Sequence, residues 1–175
     1  MSLRGASFGI VLALALSPLA SAEDAPKNDS QAACDHFAWP IKREKAWFAA
    51  NMPAAHSGER VEKSDEGLFL TLKPTKNFDF FLPPERPPKP ESYSGNFVIF
   101  GVATPGLYQI TLSDEAWIDV FENGVRLKST AFTGQKDCPG VRKSVRFELT
   151  PGAPITIQIS NSVKDLIKVA IAPAS

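Results

Sequence analysis

Residues 106–124, GLYQITLSDEAWIDVFENG, gather four carboxylates around a Trp and a Phe: Asp114, Glu115, Asp119 and Glu122. Acids this close can hold a hard cation or divide acid–base work across a cleft. The residues between them decide which. Tyr108, Ile110 and Leu112 alternate with polar neighbours and form one face of a strand. Ala116, Ile118 and Val120 form the inner face of the next, and Trp117, Asp119 and Phe121 share its other face. Asn123-Gly124 is a type I′ hairpin signal, because both residues tolerate positive φ. Val125–Ser129 then returns as the partner strand. Side chains alternate along a strand, so Asp119 and Glu122 point to opposite faces and cannot share an ion. Asp114 and Glu115 fall in the connection. The expectation is four acids facing water.

Other chemistry is thinly represented. The two histidines, His36 and His56, lie 20 residues apart with a helix expected between them. A catalytic metal needs ligands converging from a rigid scaffold. No H-x-H or H-E-x-x-H occurs, so a metal site at His36 and His56 is the lesser alternative and no cofactor is expected. No G-x-S-x-G, Walker A or G-x-G-x-x-G is present. Two stretches remain as ligand contacts. FTGQKDCPGVRKSVRF (132–147) sets Arg142, Lys143 and Arg146 after a tight loop. They are either an anion or polar-ligand contact at the rim, or edge cations paired with Asp137, Glu148 or Asp119. Trp117 and Phe121, beside Asp119, are either a platform for sugars and flat ligands or a face covered by the helix that carries Trp39, Trp47 and Phe48.

The ends bound the rest. Arg4, the apolar run Phe8–Leu16 and Ala20-Ser21-Ala22 form a secretory signal peptide over residues 1–22. Its apolar run is too short to cross a bilayer, and no later segment is apolar enough. The mature chain is expected in a periplasm or outside the cell. Removing 22 of the 175 residues leaves 153, a typical single-domain length. Taking Arg4 from the 19 basic residues leaves 18 against 19 acids, a charge of −1. That gives no footprint for nucleic acid. Cys34 and Cys138, an even count in an exported chain, are expected to pair.

Residues 23–33 (EDAPKNDSQAA) are polar and small, a disordered lead-in. In CDHFAWPIKREKAWFAANMP, Pro40 suits a first helical turn and Pro53 stops the run, so a short helix is expected over about 40–50. The period then becomes two, in GLFLTLKP, NFDFFL, SVRFEL, PITIQIS and LIKVAIA. Such repetition specifies an antiparallel β-sandwich, jelly-roll-like, of about eight strands over 34–175. LPPERPPKPESYSG (82–95) holds five prolines and is expected to run extended over the surface between strands.

From Gly95 to Ala172, centred on GLYQITLSDEAWIDVFENGVRL, the chain resembles bacterial pre-peptidase C-terminal domains and some carbohydrate-binding modules. That likeness implies a non-catalytic sandwich. The whole chain, with CDHFAWPIKREKAWFAA, PPERPP and DCPGVRKSVRFEL, is similar to a group of small uncharacterised exported proteins of Gram-negative bacteria. Some carry a homogentisate dioxygenase label, which implies iron. This chain is too short for that chemistry, and two His with no placed Glu do not make the iron triad. The expectation is a non-catalytic binding or accessory module for a small polar ligand, a glycan or another envelope protein. The rivals are a metal-dependent oxygenase of barrel type and a structural subunit of an envelope complex.

Overall fold

The computed structural model describes residues 32–62 and 66–175. The expected signal peptide and all but the last two residues of the expected lead-in lie outside them. In chain order come helix α1 (Lys42–Ala49), then β1 (Ala54–His56), β2 (Arg60–Val61), β3 (Gly67–Thr71), β4 (Lys73–Pro74), β5 (Tyr93–Phe100), β6 (Gly106–Leu112) and β7 (Trp117–Glu122). They are followed by β8 (Val125–Arg126), β9 (Ala131–Gly134), β10 (Lys143–Leu149), β11 (Pro154–Ser162) and β12 (Leu166–Pro173). One sheet runs β1-β3-β12-β6-β10-β9, the other β2-β5-β11-β7-β8, with β4 also on β5.

Four of the five alternating motifs lie on strands: β3, β10, β11 and β12. In them the apolar half of each alternation turns inward. Leu68, Leu70, Phe147, Val169 and Ile171 from one sheet join Phe97, Ile99, Ile155, Ile157 and Ile159 from the other in one buried cluster. Ile110, Leu112, Ile118 and Val120 belong to it too. At about 25 cal/mol per Å² of apolar area, this burial is the main term favouring the fold. Asn123 (φ 50°) and Gly124 (φ 76°) make the expected primed turn between β7 and β8.

Four expectations need correction. The sheets are mixed: β1 runs parallel to β3, and β2 parallel to β5. The chain crosses between sheets in this stretch, so β1 is met in the same direction by β3, and β2 by β5. Residues 78–82 are not a strand. The following prolines lack ladder donors, and Phe78 and Phe80 pack edge to face on each other at 4.8 Å. The strand that returns beside β7 after the turn is Val125–Arg126, not Val125–Ser129. The helix starts at Lys42, not Pro40.

Both sheets bury polar side chains on their outer faces, and each outer face has its own cover. The N-terminal segment lies over the first sheet, packing Phe37, Trp39, Ile41 and Phe48 around Ala170. Trp39 Nε1 donates to Ser144 Oγ at 3.1 Å, and Gln109 Nε2 donates to Glu44 Oε1 at 2.9 Å. The Cys34–Cys138 disulfide fastens this cover to the β9–β10 loop. The proline strap lies over the second sheet. Gln158 accepts from the Phe81 N–H and donates to the Leu82 carbonyl, both at 3.0 Å, standing in for a strand. Asn161 Oδ1 accepts from the Lys89 N–H at 2.8 Å. Among the described residues no helix is long and apolar enough to cross a membrane.

The disulfide closes a loop of 104 residues. Replacing both cysteines by Ser should lower unfolding free energy by about 2–4 kcal/mol, read as a reduced denaturant midpoint at unchanged slope. Gln158→Ala should cost about 1–3 kcal/mol by stranding two strap groups. It should speed amide exchange at Phe81 beyond any change at Val120; equal changes at both would show that the amide does not hold the strap.

Candidate functional site

The site lies where the two sheets fail to close on each other. On the cleft side β7 is paired only from Val120 onward, by Leu127 N–H donating to Val120 O at 2.8 Å and by the two residue pairs of β8. Backbone groups alternate along an antiparallel strand. Those of Ala116 and Ile118 therefore point the same way as those of Val120, toward the edge. Opposite stands β9, the last strand of the other sheet. Between them is a cleft of about 480 Å³, within the range of small-molecule sites. Ile118, Leu127, Val145 and Phe147 give it an apolar floor, and Phe132, 77 % exposed, stands at its rim.

Trp117, Asp119, Arg142 and Lys143 all line this cleft. Lys143 Nζ donates to the Ala116 carbonyl at 3.0 Å and lies 5.2 Å from the centre of the Trp117 ring. Burial pushes its ammonium below the usual lysine range, against the opposing pull of Glu115. Arg142 pairs with Glu115 at the mouth. Asp119 is only 2 % exposed, which overturns its expected place in water. The strap does this. Glu85 N–H donates to Asp119 Oδ1 at 3.2 Å, and Arg126 Nε lies 3.3 Å from the same oxygen. Burial pushes the Asp119 carboxyl up, and the Glu85 N–H and then Arg126 act against that rise. The Trp117 indole N–H comes close enough to favour the charged form but stays outside hydrogen-bond geometry. Trp117 Nε1 and Asp119 Oδ2 are therefore both buried without a partner.

The other two ligand candidates lie elsewhere. Phe121 is buried under the strap, edge to face with Phe81 at 5.5 Å and with Arg126 over its ring. Arg146 points to the opposite face of β10. It stacks on Trp39 at 4.0 Å and donates to Gln109 Oε1 and the Ser175 carbonyl, not to Asp137, Glu148 or Asp119. The helix does not cover Trp117; it packs on β3 and β12, and the strap covers Trp117 instead, with Arg86 4.2 Å above its ring. The remaining acids of the opening motif are partnered: Asp114 by Lys164, and Glu122 by the Thr150 N–H at 2.9 Å.

The histidines sit at opposite edges of one sheet. His56 is on β1, and the His36 carbonyl accepts from Gln135, just past β9, at 3.0 Å. Five strand spacings of about 4.8 Å separate those edges by roughly 24 Å, so the two imidazoles cannot share an ion. Among the described residues no three His, Cys, Asp or Glu side chains converge.

Sequence reasoning missed Glu85, Arg86 and Phe132. The signal for the first two was in PPERPP, where flanking prolines fix one charged pair in a stiff segment. For Phe132 no signal was available, since its exposure follows from β9 being the end of a sheet. No family model matches the chain, and no curated protein or solved structure matches it.

The pH dependence of stability follows from Asp119. Its folded carboxyl holds a proton more tightly than the unfolded one, whose value is near 3.8. The folded state binds the extra proton, so this group's contribution falls as pH rises from about 3.8 through the raised folded value. Asp119→Asn removes the effect. Denaturant unfolding from about pH 3 to about pH 7 should show the variant gaining on the parent as pH rises. Curves that stay parallel would contradict a carboxyl pushed upward by burial.

Proposed function

We propose that the chain is a non-catalytic binding or accessory module, exported to a periplasm or secreted, that holds a small polar ligand in the cleft between β7 and β9. One observation carries this reading. A buried carboxylate, a cation-stacked Trp and a shielded lysine line a cavity whose floor is apolar. Small-molecule sites commonly combine an apolar wall with a few fixed polar groups. The apolar interior shared by the sheets supports a two-layer sandwich. The disulfide suits an oxidising compartment. The likeness of residues 95–172 to pre-peptidase C-terminal domains and carbohydrate-binding modules agrees with a non-catalytic role. No observation favours the oxygenase. Stoichiometric iron in purified protein, lost when His36 and His56 are both replaced, is the result that would favour it.

The test is a thermal-shift screen of the purified mature chain against sugars, polyols, amino acids and dicarboxylates. At least one class should raise Tm saturably, equivalent to about 2.7 kcal/mol at a hundredfold excess over Kd. Phe132→Glu, a change on an exposed rim residue, should abolish that gain while leaving unliganded Tm nearly unchanged. No stabilisation by any class, or stabilisation indifferent to Phe132→Glu, would remove the cleft from consideration.

A further inference from the structure

The cleft's charges cancel. Arg86, Arg142 and Lys143 line it against Glu85, Glu115 and Asp119. Each cation also has an occupation: Arg142 on Glu115, Lys143 on the Ala116 carbonyl, Arg86 on the Trp117 ring. Arg126, just outside, holds Asp119 Oδ1 and the Pro83 carbonyl. An anion finds no spare cation here, and Asp119 repels it. An ammonium ligand meets one spare oxygen but gives nothing to the indole N–H.

What remains is one donor and one acceptor. Trp117 Nε1 approaches the Asp119 carboxyl without reaching hydrogen-bond geometry, and Asp119 Oδ2 has no donor in such geometry. Buried polar atoms are rarely left so, and such a pair calls for a partner. The two residues are two apart on one strand face, about 6.7 Å along the backbone. A hydroxyl both donates and accepts. One hydroxyl oxygen can therefore accept from the indole and donate to the carboxylate. The apolar floor of Ile118, Leu127 and Val145 suits the C–H surface of a carbon ring.

We infer that the cleft takes a neutral polyhydroxylated ligand, an uncharged sugar or polyol, one of whose hydroxyls bridges Trp117 Nε1 and Asp119 Oδ2. This rests on the cleft being the binding site, as proposed above. The ligand does not stack on the covered face of Trp117, because Arg86 occupies it. Both unpaired atoms are shielded from solvent, so entry requires the exposed Arg86 to leave the ring, a weak surface contact.

The experiment is a titration of the ¹⁵N-labelled mature chain with maltotriose, N-acetylglucosamine and myo-inositol, and with glucose 6-phosphate, glucuronate and glucosamine as charged counterparts. Calorimetry runs in parallel. A neutral compound should bind at least tenfold more tightly than the charged ones, and the Trp117 indole resonance should move more than those of Trp39 and Trp47. Trp117→Phe keeps an aromatic ring but loses the N–H, and should weaken neutral binding about tenfold or more. The wild-type indole shift stands independently of whether that variant folds. Tighter binding of charged sugars, unchanged affinity in Trp117→Phe, or an indole that stays still overturns the inference. If this panel fails but the broader screen yields a ligand lost on Phe132→Glu, only the hydroxyl bridge is wrong. If both are empty, the cleft reading fails with it.

Discussion

The carboxylate of Asp119 is removed from water by a segment that cannot form a strand, and much of the second sheet is organised around that fact. Desolvating a charge is costly unless it is paired and hydrogen-bonded. Here one oxygen is well served, by the Glu85 N–H and Arg126. The other is not. The strap and the β7–β8 hairpin are therefore joined through a single side chain, and the same side chain forms part of the cleft wall.

The two outer faces solve one problem in related ways. Gln109, Thr111 and Ser144 on one sheet, and Gln158 and Ser160 on the other, are fully buried polar groups. Beneath the N-terminal segment they meet side chains: a Trp N–H and a Glu carboxylate. Beneath the strap the partners are mainly backbone, since a proline-rich chain leaves carbonyls and a few N–H groups without ladder mates. Covering an outer face lets strands be polar outside and still buried on both sides. That is why alternation in the sequence did not translate into alternation of exposure.

This explains what could be read in advance. β3, β6, β7, β10, β11 and β12 were legible because strict period-two patterning is a local property. The Asn123-Gly124 turn and the cysteine pair were legible for similarly local reasons. The mixed sheet order was not, because β1 and β2 are two or three residues long and carry no pattern. The fate of Asp119 was not, because its burial depends on where a strap 34 residues earlier happens to lie. Of the six ligand candidates, Trp117, Asp119, Arg142 and Lys143 meet at the cleft; Arg146 separates from Lys143 by strand parity, and Phe121, on the same face as Trp117 and Asp119, is sealed further along the strand by Phe81 and Arg126. The charged pair between the prolines was visible but its destination was not.

The brevity of β8 has one more consequence. It leaves part of β7 as a bare sheet margin, the kind of surface on which strands of separate molecules join and aggregates begin. Lys143 stands against this: its ammonium occupies the Ala116 carbonyl, and a charged group turned inward at a margin discourages an incoming strand. The lysine that helps shape the cavity thus also guards the chain against sticking to its own copies.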